Sequence, residues 1–131
     1  AYEREQRDAW APGDDALPSF EAAIDSERFV VLLAVSDGKA VGYGVLNVSD
    51  EAIDAAYVHP DYASDGIATS LIRQLEMSAR MHGIAELDIV SSLNATAFYE
   101  SLGYWQVGAK TRTIDGVAID FAVLCKHLDA T

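Results

Sequence analysis

"HPDYASDGIATSLIRQLE", residues 59–76, decides how the rest of the chain is read. Pro60 ends the segment before it, because proline cannot join a strand ladder, and from Gly66 to about His82 the apolar residues switch to helical spacing. Ile67, Ala68, Leu71, Ile72, Leu75 and Ala79 share one face. Arg73, Glu76 and Arg80 fall away from it, with Glu76 and Arg80 in the favourable i,i+4 order. Gly83 is a natural stop. Small residues at the joint, Gly66 and Ala68, let the first amides of the helix close around an anion such as a phosphate. Ser64 or Asp65 can instead cap those amides, and the residues alone are compatible with both uses. A carboxylate beside a phosphate is unfavourable in dilute buffer, but near molar salt the screening length shrinks to about 3 Å.

Upstream, "RFVVLLAVSDGKAVGYGVLNV" (28–48) reads as a hairpin around Asp37-Gly38, and "AIDAAYVHP" (52–60) as a third strand. "LPSFEAAIDSE" (17–27) is predicted to be a short helix, with Pro18 near its start and Phe20, Ala23 and Ile24 as its buried stripe. The first sixteen residues are charged, although Tyr2 and Trp10 could dock onto a core. Downstream, "IAELDIV" (84–90) is a strand. "SLNATAFYESLG" (92–103) is a second helix, capped by Ser92, with Ala95, Phe98, Tyr99 and Leu102 as its stripe. Residues 104–128 finish as two strands around Asp115-Gly116. This order predicts an α+β fold, a mixed sheet with helices packed on both faces.

The length, 131 residues, suits one domain spanning 1–131. Half of the residues are hydrophobic, so a core is available. No apolar run approaches the roughly 18–20 residues of a membrane span, and no signal peptide opens the chain. The expectation is a soluble, cytoplasmic protein. Its net charge is −12, with 21 acidic residues against nine basic ones. Such a surface repels nucleic acid and anionic membranes, whose binding depends on basic contacts to phosphate. Abundant aspartate and only three lysines suggest a salt-adapted, halophilic origin. The single cysteine, Cys125, sits in "FAVLCKHL" and reads as a buried strand thiol. His59, His82 and His127 share no metal spacing, so no metal is expected. A GxGxxG fingerprint, a Walker loop and a Gly-x-Ser-x-Gly elbow are all absent.

"AAYVHPDYASDGIATSLI" (55–72) followed by "AELDIVSSLNATAFYESLGY" (85–104) resembles the GNAT superfamily of N-acetyltransferases. Members carry a Val-x-Pro-like step, here Val58-His59-Pro60. Next comes Arg/Gln-x-x-Gly-x-Gly/Ala, here Ala63 to Ala68, and later a Tyr before Leu-Gly-Phe/Tyr, here Tyr99 to Tyr104. Each motif alone is weak, and the ordered set is strong. The resemblance implies a mostly antiparallel twisted sheet with a splayed central strand pair, and acetyl-CoA as cosubstrate. Backbone amides of Ser64, Asp65, Gly66, Ile67, Ala68 and Thr69 would then wrap its pyrophosphate. Its pantetheine arm would run beside Tyr57 and Val58 like an added strand.

By the same resemblance Tyr99 is the catalytic acid, protonating the departing thiolate during direct transfer to a primary amine. Asn94 would stand in for an asparagine usual two positions earlier, where this chain has Ser92. The general base is left unassigned between Asp54 and Glu51. Ala63 stands where Arg or Gln is typical, Asp65 replaces a frequently basic residue, and the family's first strand is not evident before residue 16. A missing edge strand would invite a homodimer. The acceptor would be a small-molecule or peptide amine. The alternative is a non-catalytic module of this fold that binds an acyl-CoA or a partner protein.

Overall fold

In a computed structural model of the chain, residues 19–63 and 66–128 are described. Seven strands form one sheet in the order β1-β2-β3-β4-β5-β7-β6. They are β1 (Ser19–Asp25), β2 (Phe29–Ser36), β3 (Lys39–Asn47), β4 (Ala52–Val58), β5 (Glu86–Ser92), β6 (Trp105–Ile114) and β7 (Val117–His127). Every neighbouring pair is antiparallel except β4 and β5. Helix α1 (Ile67–Met81) connects β4 to β5, and α2 (Thr96–Ser101), preceded by a 3-10 turn, connects β5 to β6. The two hairpins turn where expected: Asp37-Gly38 and Asp115-Gly116 all have positive φ, the conformation that matches the twist of the flanking strands.

The predicted first helix is instead β1. Phe20, Ala23 and Ile24 have helical spacing, but the segment pairs with β2 from Ser19↔Val35 to Asp25↔Val30, with a bulge between Ala22 and Ile24. A short apolar run fits either period, and here the deciding term is β2. Its seven apolar residues from Phe29 to Val35 carry backbone groups that need partners on both edges, and β1 supplies the outer set. Phe20 is half-buried against the core, while Ile24 stays 53% exposed. Tyr2, Trp10 and Pro18 lie outside the described residues.

Leu71, Leu75 and Ala79 of α1 press onto Leu46, Leu87, Ile89 and Leu124 of the sheet, all fully or almost fully buried. Burial of each such leucine contributes about 1.5–3 kcal/mol. α1 comes close because β3 offers Gly44: a Cβ there would lie 2.6 Å from Leu75 Cδ1. Phe98 and Tyr99 of α2 pack against the same cluster. Of the helices expected on both faces, the two described ones therefore share one. No helix of the described residues is long and apolar enough to cross a membrane.

One side chain departs from its expected place. Glu76 is 1% exposed, not on the solvent side. It follows Ile72 by one turn and so continues the buried stripe. Its carboxylate accepts hydrogen bonds from Tyr104 Oη at 2.7 Å, Arg73 Nη1 at 3.2 Å and Lys126 Nζ at 3.1 and 3.2 Å. A buried carboxylate persists only with such compensation.

Candidate active site

The joint between β4 and α1 is built around backbone. Gly66 has φ 76°, a left-handed conformation that L side chains rarely adopt. Among the described residues, the first hydrogen bond of the helix runs from the Ser70 amide to the Gly66 carbonyl at 3.1 Å. The amides of Ile67, Ala68 and Thr69 therefore precede the ladder, and Gly66 provides no side-chain cap. The side chain of Ile67 is buried with Ala34 and Val41, where it anchors the start of α1. Ser64 and Asp65, assigned above to the same anion cradle, lie outside the described residues.

β4 and β5 pair only at Ala52↔Asp88 and Ile53↔Ile89, although each strand has seven residues. Beyond Ile53 they diverge, which is the splay expected from the sequence. The Tyr57 carbonyl points to β3, lying 2.6 Å from where a Gly42 Cβ would be, and the His59 amide donates to Val41 on the same side. Because backbone groups alternate along a strand, those of Ala56 and Val58 point into the gap. Asp54 marks a register shift in β4 against β3.

A cavity of about 230 Å³ opens beside this gap. Ala56, Tyr57 and Val58 form one wall, Ala68, Leu71 and Ile72 of α1 a second, and Phe98 and Tyr99 of α2 close it. Tyr99 is held by its ring, edge-on to Phe98 at 5.2 Å and to Tyr104 at 6.1 Å. Its hydroxyl has no hydrogen-bond partner among the described residues. Burial raises its pKa above the ordinary 10, so the phenol keeps its proton throughout the neutral range. A protonated phenol in the wall of a largely apolar cavity is equipped to donate.

Tyr57, Val58, Ala68 and Tyr99 thus meet at one cavity, with Gly66 at its entrance helix. Thr69 is half-buried and Asn94 exposed, and neither lines the cavity. Ser92 makes no side-chain cap; its carbonyl instead accepts from Thr96 Oγ1 at 3.4 Å. Asp54 accepts from Asn47 Nδ2 at 3.1 Å and is exposed. Glu51 sits in the β3–β4 turn with its carbonyl bound by the Asp88 amide at 3.0 Å. Neither carboxylate reaches the cavity wall. The lining residues that the sequence did not single out are apolar: Ala56, Leu71, Ile72 and Phe98. Helical periodicity marks the last three only as core. The Cys125 thiol, buried beside Asp88 and Glu86, is pushed up to about 11 and stays protonated at neutral pH, in keeping with a structural role. No cluster of three potential metal ligands occurs among the described residues.

Gly42 is expected to be intolerant of a side chain. Its Cβ would collide with backbone of β4 rather than with a flexible side-chain tip. Gly42→Ala should cost about 1–3 kcal/mol in urea unfolding through overpacking, and displace the strand that walls the cavity. An unchanged unfolding midpoint would show that β4 yields freely there.

The acetyltransferase (GNAT) domain profile matches residues 2–119. An uncharacterized N-acetyltransferase of Escherichia coli K12, YafP, is 27% identical over 106 residues, covering 81% of this chain and 63% of that protein. The structure of a GCN5-related N-acetyltransferase from Rhodopseudomonas palustris is 33% identical, with a TM-score of 0.73. That match covers 76% of this chain and 62% of the other. This chain therefore spans somewhat less than two thirds of the length of both relatives. A GNAT family acetyltransferase from Elizabethkingia anophelis, with acetyl-CoA bound, shares the fold at 18% identity and a TM-score of 0.65, covering 76% of each chain. With its profile match over most of its length and its splayed β4–β5 pair, the chain belongs to the GNAT acetyltransferase family.

Proposed function

We propose that this protein is an N-acetyltransferase that moves an acetyl group from acetyl-CoA directly to a primary amine of a small molecule or peptide. The observation that carries the reading is the divergence of β4 from β5 beside a cavity closed by Tyr99, a protonated phenol with no hydrogen-bond partner among the described residues. Acetyl-CoA supplies a thioester acetyl group and a thiol leaving group. The backbone groups of Ala56 and Val58 bind the extended amide arm as a strand edge would. The amides of Ile67, Ala68 and Thr69, reinforced by the dipole of α1, hold the pyrophosphate. Apolar side chains of α1 and Phe98 exclude water around the reacting carbonyl. Tyr99 Oη gives its proton to the departing sulfur. The amine's own proton leaves through solvent, with Asp54 of β4 or Glu51 just before it able to take it through water.

The charge of −12 supports a cationic amine as acceptor, because like-charged anions are repelled from the surface. It also supports a site suited to high salt. Ala63 lines the cavity without a polar group, which favours the second reading, a module that binds acyl-CoA without turnover. Calorimetric titration of acetyl-CoA in low and molar salt, with thiol release measured against ethylamine, putrescine, phenethylamine and an alanine-terminated peptide, separates the two. Binding with amine-dependent thiol release is the expected result. Binding without release would establish the module, and absence of binding in both salts would sink both readings.

A further inference from the structure

We infer that Glu76 is a positioning residue for Tyr99, holding the α2–β6 turn so that the tyrosine keeps its place in the cavity wall. The inference rests on the reading of Tyr99 as proton donor. α2 has only six residues, too few for intrinsic helical stability, so its orientation must come from ties to other elements. The carbonyl of Tyr99 accepts two of them, from the Leu102 amide at 3.0 Å and the Tyr104 amide at 3.2 Å. Both donor residues lead back to Glu76. Tyr104 donates a hydrogen bond from its hydroxyl to Glu76 at 2.7 Å while its ring meets Tyr99 edge-on. The Leu102 carbonyl accepts from Lys126 Nζ at 2.9 Å and Arg73 Nη1 at 3.3 Å, the two cations that also bind Glu76.

One buried carboxylate thus gathers a phenol and two cations onto the turn that follows the proposed acid. Hydrogen bonds to a charged acceptor are shorter and stronger than neutral ones. Losing the charge while keeping the shape should loosen the turn without emptying the site. The cluster does not line the cavity, so its effect on chemistry passes through Tyr99.

The test uses Glu76→Gln, with Tyr104→Phe as a second variant that keeps the ring and both cations. In protein labelled with [13Cζ]tyrosine, the Tyr99 resonance is assigned by its absence in Tyr99→Phe. In Glu76→Gln its titration should move down toward the ordinary tyrosine value as the hydroxyl gains access to solvent. With the fastest amine of the panel, kcat should fall about tenfold, since small misplacements near reacting atoms are costly. The KM for acetyl-CoA should stay within about twofold in the same variant, and in a Tyr99→Phe background the Glu76→Gln change should cost no more than about twofold. Tyr104→Phe should shift the same readouts in the same direction by a smaller amount. An unmoved Tyr99 titration in both variants, or equal losses with and without Tyr99, would overturn the inference. Wild-type turnover in Tyr99→Phe alone would instead overturn the reading of Tyr99 as acid, and the resonance titration would still decide whether Glu76 holds it.

Discussion

Replacing Tyr99 by phenylalanine is expected to lower turnover by roughly 10²-fold, the lower end of what a positioned general acid contributes. Acetyl-CoA affinity should change by less than about twofold, because the ring remains and the hydroxyl contributes only when charge develops on sulfur. Stability gives the control. The hydroxyl makes no hydrogen bond among the described residues, so phenylalanine keeps the edge contacts to Phe98 and Tyr104 and removes an uncompensated polar group. Unfolding should be unchanged or slightly harder. A variant that retained wild-type turnover would return Tyr99 to the core, and one that lost stability would reveal a structural hydrogen bond.

The second large effect concerns stability. Lys126→Met should cost about 3–5 kcal/mol in urea unfolding, because it leaves a buried carboxylate short of its main counter-ion. Lys126 is 16% exposed and Glu76 1% exposed, so water cannot take the place of the ammonium. The same change removes the bond to the Leu102 carbonyl and the cation over the Tyr104 ring at 5.5 Å. Arg73 makes a pair of similar length with Glu76, but it is 46% exposed. Arg73→Met should therefore cost about 1 kcal/mol or less. Equal losses for the two variants would mean that the cluster is hydrated and the burial argument fails. Burial and the Glu76 contact also raise the pKa of Tyr104 above the ordinary 10, so this phenol remains a donor throughout the neutral range.

Several features were legible because they rest on local rules. Glycine at a left-handed position fixed both hairpin turns and the stop of α1 at Gly83. The apolar period placed α1 to within a residue at each end. The motif residues Val58, Ala68 and Tyr99 lie on three elements that meet at the cavity. Ser92 does not cap α2 with its side chain, because a 3-10 turn intervenes between it and the helix.

By itself the sequence determined the α+β class, the order of the later elements and the backbone-built start of α1, all of which follow from periodicity and allowed φ values within a few residues. Only the tertiary structure decided that 19–25 is a strand, because the need came from the unpaired edge of β2 rather than from the segment. Only it set where β4 leaves β5, which depends on register across a crossover. And only it buried Glu76 with Lys126, fifty residues apart, a pairing no local pattern encodes because the energy that selects it exists once the sheet has closed over the helix.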